Sequence, residues 1–268
     1  MSSAQAATPA PRPAQAFAWS GTQKTVLLAV LAYSVYVIAQ MDLSWARLST
    51  GMHQGARFLG RMVPPDFSKM DVLWEGIRET LQIAVLATVA GVALSLPVGL
   101  LAARNMVPGY VRTGARGLIA VCRSLHPVIT AILFVKAVGF GPLAGILALV
   151  VATVGFVGKL FADAIEEISP KQIEAVRATG ASFANVVLFG VLPQVMGRFV
   201  GFATYQLDSN LRNSTMVGIV GAGGIGGALF SAFLRFEYSF VCTILATVIA
   251  IIVVGEIVVN ATRKALNV

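Results

Sequence analysis

Three basic side chains, Arg123, Lys136 and Arg212, lie within or beside long apolar stretches of the sequence. On insertion scales a charged side chain at the bilayer centre costs ~2.5 to 3.5 kcal/mol, so such a group needs water, an opposite charge or a ligand. An anion would be a suitable ligand for all three. Further polar groups on the same stretches could contact it: His126, Asp208, Asn210, Asn213 and Ser214. These eight residues form the candidate substrate pathway.

Several of these residues also have a purely structural explanation. Arg123 and Lys136 lie near the two ends of one predicted helix, where long basic side chains can reach the polar membrane surface. Asp208 and Arg212 have the i, i+4 spacing of a helical ion pair. His126 precedes a proline and can mark a kink. The sequence leaves both explanations open.

The overall composition indicates a protein that spans a lipid bilayer. Of its 268 residues, 57% are hydrophobic and 12% are charged, and the mean hydropathy is +0.80. Soluble domains carry about 25% charged residues, so a soluble domain is excluded. The net charge of +8 comes without a basic run interleaved with aromatic residues, which excludes nucleic-acid binding. Cys122 and Cys242 lie in apolar runs without C-x-x-C spacing and predict neither a disulfide nor a metal site.

Gaps between charged residues predict six transmembrane helices, because a span needs ~20 largely apolar residues. A disordered tail at 1–24 precedes the first span at 25–41, which lacks the A-x-A site of a cleaved signal peptide. Residues 42–78 predict a periplasmic or interfacial amphipathic segment. A core at 79–264 holds the other spans, predicted at 80–103, 117–138, 142–158, 194–216 and 238–255.

Two further uncharged stretches are not predicted to be simple transmembrane helices. Ser169 precedes Pro170 and lies three residues before Gln172, which predicts a reciprocally capped helix start and two short surface helices over 170–189. These helices belong to a predicted cytoplasmic loop at 166–193. Six glycines over 218–227 predict a bent re-entrant segment after the fifth span.

Loop charges predict the orientation of the spans. Eleven of the twenty Lys and Arg residues fall in the tail and loops on one side, and six fall on the other. Since basic residues are enriched in cytoplasmic loops, both termini are predicted to lie in the cytoplasm.

The predicted cytoplasmic loop resembles the EAA loop of ABC importer permeases. That motif has Glu-Ala-Ala, three residues, Gly, nine residues, an aliphatic position, one residue and Leu-Pro. Val176 and Gly190 depart from it, and the matching residues are Glu174, Ala175, Gly180, Leu192 and Pro193. The resemblance implies that these five residues couple the chain to an ATPase.

Residues 210–226, with 139–149 and 158–165, resemble the permease of phosphonate and phosphite ABC importers from about Asp71 onward. This resemblance implies an all-α polytopic membrane protein with six transmembrane helices and the type I importer permease fold. Gly221 to Gly226 also match G-x-G-x-x-G, but the apolar flanks and the early acid Glu237 exclude a dinucleotide site.

The resemblance implies a location in the bacterial inner membrane and three kinds of partner. These are a second copy of the chain, two cytoplasmic ATP-binding subunits, and a periplasmic substrate-binding protein. The sequence contains no G-x-x-x-x-G-K-[ST], so we expect no enzyme activity and no cofactor, with ATP and magnesium held by the partner ATPase. Catalytic and metal-binding residues are not predicted.

Three alternatives stay open at this level. The importer could carry another small solute, because the sequence does not distinguish phosphonate, phosphite, phosphate ester and phosphate. A membrane-embedded transferase would need grouped acids, and Asp163, Glu166 and Glu167 are such a group. A secondary transporter would show internal repeats, which we do not find. The sequence also leaves open whether the second permease is identical to this one.

Overall fold

The computed structural model describes residues 20–41 and 44–265, and within these ranges the chain consists of helices joined by turns. Its contacts divide the chain into two units, residues 1–59 and 60–268. The predicted disordered tail falls outside the described residues up to residue 19. Among the described residues, five helices are long and apolar enough to cross a membrane, and the number of spans rises to as many as six when one bent helix pair is counted as a span.

The first unit contains α1 (Gly21–Gln40) and most of α2 (Trp45–Met62). α1 begins four residues before the predicted start at 25, because Ser20 forms a capping box with Gln23. The Ser20 amide donates to Gln23 Oε1 (3.0 Å), and the Gln23 amide donates to Ser20 Oγ (3.4 Å). α2 is strongly amphipathic, and its predicted position at the membrane surface stays a prediction.

Two parallel helices, α3 (Met70–Ala102) and α6 (Pro142–Glu166), form the centre of the second unit. They touch at intervals of eight residues, which keeps the two helices in one register along their length. The paired positions are Ile83 with Gly145, Gly91 with Thr153, and Gly99 with Phe161. Small residues at these contacts let the helices approach closely, as is common between transmembrane helices.

α3 is longer than the predicted span, which began at residue 80. Its 33 residues correspond to about 50 Å, more than the ~30 Å hydrocarbon core of a bilayer. Its first turns carry Asp71, Glu75 and Arg78 and therefore extend beyond the apolar layer. A gap between charges marks only the part of a helix that lies in lipid, and so it underestimates the length of the helix.

The third predicted span, 117–138, is wrong as a single helix. α4 (Gly109–Ser124) and α5 (Pro127–Val138) meet at an angle of 93°. Pro127 has no amide hydrogen to continue α4, and His126 caps the new helix by accepting the Val128 amide at Nδ1 (3.3 Å). Both helices pack against α6, α5 along its first half and α4 along its second half, and the corner between them interrupts the span.

The predicted pair of surface helices at 170–189 is also partly wrong. α7 (Pro170–Ala178) is separate, but α8 (Phe183–Asn185) continues through a π-helical turn at Val186–Val191 into α9 (Leu192–Ile219). The predicted reciprocal cap of α7 is not formed, since the Ser169 side chain makes no cap bond. The Ser169 amide instead donates to Gln194 Oε1 of α9 (3.3 Å). A tertiary contact has replaced the local one.

The glycine-rich segment is bent, as predicted, and leads into α10 (Ile225–Leu234). Ten residues give about 15 Å, too short to cross a bilayer. α3 supplies the cap that α10 lacks: Glu79 Oε2 accepts the Gly224 amide (2.7 Å), and Thr80 Oγ1 accepts the Ile225 amide (2.9 Å).

α11 (Tyr238–Ala265) completes the bundle and runs antiparallel to α9. Lys69, before α3, pairs with Glu237, before α11 (2.5 Å), and Arg263 Nε donates to Thr204 Oγ1 near the other end (3.2 Å). α3, α6 and α11 therefore begin at one end of the bundle, the Lys69 end. They finish at the other, the α7 end.

Candidate functional site

The five residues predicted to couple the chain to an ATPase lie together at the α7 end. Glu174 and Ala175 are exposed on α7, and Gly180 is exposed in the turn that follows it. Gly180 has a φ of +76°, a conformation that other residues adopt only with strain. Leu192 is half-buried and Pro193 is exposed where α9 begins. The segment thus exposes a short helix that is followed by a fixed bend.

α7 is attached to the bundle by a buried hydrophobic cluster, here called the α7 cluster. Ile173 is the α7 residue at its centre, with 5% of its surface exposed. The other members come from the end of α6, the α3–α4 corner, the π-helical turn and the start of α9: Ala103, Met106, Phe161, Ala164, Ile165, Val186, Val191 and Val195. A displacement of α7 would therefore be transmitted directly to α6, the α3–α4 corner, the π-helical turn and α9.

The acidic group at the end of α6 is fully engaged in ion pairs. Asp163 pairs with Lys159, and Glu167 pairs with Arg198 (2.5 Å). Glu166 pairs with both Arg104 (3.3 Å) and Arg116 (2.5 Å). Glu166 and Glu167 connect α6 to Arg104, α4 and α9, and the Asp163–Lys159 pair lies within α6, so ion pairing accounts for this acidic group.

Arg123 lies at the corner between α4 and α5, about halfway along α6. A Cβ added to Gly155 of α6 would lie 2.9 Å from Arg123 Cγ and 3.0 Å from its amide nitrogen. Gly155 is 13 residues from the start of α6 at Pro142, a rise of about 20 Å in a helix of about 37 Å. The exposed Arg123 side chain therefore starts beside the middle of α6, not at an end of this helix.

The corner also exposes the amino-terminal end of α5. Helix amino termini carry a partial positive charge. His126 is exposed beside this end, with Nδ1 turned to the helix. Among residues 20–41 and 44–265, no carboxylate forms an ion pair with Arg123. The corner is therefore electropositive.

Lys136 occupies a different position from Arg123. It is exposed in the last turn of α5, close to the Lys69 end. A basic residue is favoured at a helix carboxyl end, which agrees with a structural role for Lys136.

The predicted pair of Asp208 and Arg212 is confirmed. Arg212 Nη2 donates to Asp208 Oδ2 at 3.1 Å. The side chains are 19% and 59% exposed, so the arginine keeps access to its surroundings. Asp208 Oδ1 is buried without a hydrogen-bond partner among the described residues. Asp208 thus offsets the positive charge of Arg212.

Asn210 is not exposed to a pathway but joins three helices. It is completely buried, and its Nδ2 donates to Thr88 of α3 (2.9 Å) and Thr153 of α6 (3.0 Å). Gln206 donates to Asn210 Oδ1 (3.0 Å) and to Thr153 Oγ1 (3.1 Å). We call these four residues the Asn210 network. Its side chains satisfy one another and position α9 against α3 and α6.

The remaining two pathway candidates are held by local bonds. Asn213 is half-buried and donates to Ser209 Oγ at 3.3 Å. Ser214 is buried and donates to the Leu211 carbonyl at 2.7 Å. Of the eight candidates, the structure brings Arg123 and His126 together at the corner and places Asp208, Asn210, Arg212, Asn213 and Ser214 on α9.

Sequence reasoning missed Gln206, Thr88 and Thr153. Gln206 had a signal, because it precedes Asn210 by four residues and so shares its helix face. The two threonines had none, since isolated hydroxyls are common in membrane helices and bond their own backbone, as Thr88 does with Ala84.

Comparisons with known proteins agree on one family. The sequence model of the family described as binding-protein-dependent transport system inner membrane component matches residues 95–267. The phosphate-import permease protein PhnE of Mycolicibacterium smegmatis is 43% identical over 72% of this chain, which spans only 36% of that protein. The phosphite transport system permease protein PtxC of Stutzerimonas stutzeri is 37% identical, over 90% of this chain and 88% of its own length.

A solved structure has the same arrangement of helices. It is an inward-facing conformation of the MetNI methionine ABC transporter, which is 25% identical and superposes with a TM-score of 0.65. The match covers 75% of this chain and 99% of the other.

Proposed function

Because the chain belongs to the family of binding-protein-dependent transport system inner membrane components, we propose that it forms the translocation path of an ATP-driven importer for a small phosphorus oxyanion. It is a multi-pass membrane protein with the all-α fold of type I ABC importer permeases. Phosphate, phosphite and phosphonates are the substrate class, in keeping with relatives named for phosphate import and phosphite transport.

The position of Arg123 is the observation that supports an anionic substrate. A fixed positive charge near mid-membrane, beside the amino-terminal end of α5, attracts an oxyanion that has lost part of its hydration. Two copies of the chain facing one cavity would double that charge. Since release requires weak binding, a few donors suit transport better than a closed cage.

Coupling to ATP requires separate subunits, because the sequence has no phosphate-binding loop. We assign the contact with two cytoplasmic ATP-binding subunits to α7 and its bend, through Glu174, Ala175 and Gly180. Leu192 and Pro193 secure the return of the chain into α9. ATP and magnesium belong to those subunits, and a periplasmic binding protein delivers the oxyanion at the Lys69 end.

Transport by the reconstituted complex tests this function. The chain, its ATPase and its binding protein are placed in proteoliposomes, and ATP-dependent uptake of phosphate, phosphite, methylphosphonate and methionine is compared. We expect uptake of at least one phosphorus oxyanion and none of methionine. Uptake of methionine alone would support a permease for another solute.

The proposed orientation puts both termini and α7 in the cytoplasm of a bacterial cell. Ser182 and Ser68 are exposed near opposite ends of the bundle. In variants without the native cysteines, Ser182→Cys should react only with reagents that reach the cytoplasm, and Ser68→Cys only with impermeant reagents in the periplasm. The reverse labelling pattern would overturn the orientation.

A further inference from the structure

Glu166, the last residue of α6, is bound by Arg104 of the α3–α4 corner and by Arg116 of α4. The Arg104 amide (2.7 Å) and Arg116 Nη2 (2.5 Å) both donate to Glu166 Oε1. The carboxylate side chain is only 13% exposed. The two arginines are 67% and 43% exposed, so water is kept from the carboxylate end of each pair. A charge-assisted bond to a mostly buried carboxylate is stronger and more directional than a pair in which both groups are exposed.

Arg116 also binds the end of α3. Arg116 Nε donates to the carbonyl of Ala102, the last residue of α3, at 3.0 Å. An acid at the carboxyl end of α6 is disfavoured by the helix dipole, so Glu166 depends on its two cations for stability at this position. The ends of α3 and α6 and the first half of α4 are thereby joined at one point.

This point lies between α7, here called the coupling helix, and the α4–α5 corner that carries Arg123. On one side, Ile165 next to Glu166 packs in the α7 cluster with Ile173. On the other side, α4 continues without a break from Arg116 to Arg123, a rise of about 10 Å. An α-helix resists bending over so short a length, so α4 carries a displacement of Arg116 to Arg123.

We infer that Glu166 is a positioning residue for transport, which makes the α7 cluster and α4 move as one body and carries the displacement of α7 to Arg123. The inference rests on the proposed function, since it requires an ATPase that acts on α7. It assigns to Glu166 a role that the coupling motif itself does not include.

The test compares two neighbouring acids in the assembled complex. Glu166→Gln keeps the side-chain shape and one acceptor oxygen but removes the charge. Glu167→Gln is the matched control, because its pair with Arg198 is 65% and 54% exposed and does not involve α4. In variants without the native cysteines, Ser124→Cys reports on the α4–α5 corner and Lys171→Cys reports on α7. Reaction rates with a water-soluble maleimide are measured with and without ATP.

With Glu166 unchanged, we expect ATP to change the reaction rate at Ser124→Cys by about fivefold or more, the range of typical coupling between sites. Glu166→Gln should abolish that change, leaving ATPase copurification and the ATP response at Lys171→Cys intact. Glu167→Gln should preserve both responses. If Glu166→Gln does not reach the membrane, Glu166→Asp takes its place, since it keeps the charge but is one methylene too short.

The outcomes separate this inference from the proposed function. A full ATP response at Ser124→Cys in the Glu166 variant overturns the inference and leaves the function intact. So does the absence of any response at Ser124→Cys while Lys171→Cys responds. Failure of the chain to bind an ATPase overturns the proposed function itself.

Discussion

Gly155 of α6 and Arg123 of α4 are in such close contact that no side chain fits between them. A Cβ at residue 155 would lie 2.9 Å from Arg123 Cγ and 3.0 Å from the Arg123 amide nitrogen. Because part of this contact is backbone, a larger residue cannot be accommodated by a rotamer change alone. The approach of these two helices fixes where the Arg123 side chain emerges.

This contact predicts that Gly155→Ala displaces α4 and destabilises the protein by about 1–3 kcal/mol, as overpacking does in other cores. Gly158→Ala is the matched control, because its nearest contact would be an ordinary 3.6 Å to Ile119 Cδ1. Thermal unfolding of both variants in detergent measures the difference. Equal unfolding temperatures would contradict the close packing of α4 on α6.

Removal of the cations should affect transport unequally. Arg123→Gln should reduce oxyanion uptake roughly tenfold or more at unchanged membrane abundance, since a shielded charge contact is worth roughly 2–5 kcal/mol. Arg212→Gln should have a smaller effect because Asp208 already neutralises this arginine, and Lys136→Gln should have almost none.

The measurement is uptake per molecule of complex in proteoliposomes. Normal uptake by all three variants would refute an anion-binding role for these residues. A parallel loss of abundance and uptake would instead assign them to folding.

Disruption of α7, the coupling helix, should prevent assembly with the ATPase without preventing insertion of the chain into the membrane. Glu174→Lys reverses an exposed charge on α7, and Gly180→Pro imposes a φ of about −65° where the chain has +76°. Proline also removes the Gly180 amide, which donates to the Arg177 carbonyl (3.0 Å). Both variants should reach the membrane but lose most ATPase copurification and uptake.

The control for this experiment is Gln172→Lys, which adds a positive charge to another exposed position of α7. It should retain the ATPase better than Glu174→Lys does. Wild-type copurification and uptake in both test variants would refute the assignment of α7 as the coupling helix.

Loss of the Asn210 network should destabilise the bundle. Asn210→Ala removes three buried hydrogen bonds that link α9 to α3, α6 and Gln206, at a cost of about 0.5–1.5 kcal/mol for each bond. Asn213→Ala removes one bond of 3.3 Å from a half-buried site and should cost far less. Unfolding temperatures in detergent compare the two, and a larger effect of Asn213→Ala would contradict the structural role of Asn210.

Local sequence patterns predicted much of this protein because they depend on interactions between near neighbours. Lipid requires each span to satisfy its own backbone, so charge-free stretches located α1, α3, α6, α9 and α11, although not their full lengths. The i, i+4 spacing was sufficient to pair Asp208 with Arg212. The coupling motif similarly located α7 and the bend at Gly180, since both lie within one short segment.

Only the tertiary structure decided which polar residues meet across helices. Asn210 resembled a pathway residue in the sequence, but its partners Thr88 and Thr153 lie far away in the chain. Arg123 resembled a residue at the end of a span, and the 93° break after Ser124 puts it about halfway along α6 instead. Local sequence fixes the helices, whereas their register and angles depend on contacts between distant residues such as Gly155 and Arg123.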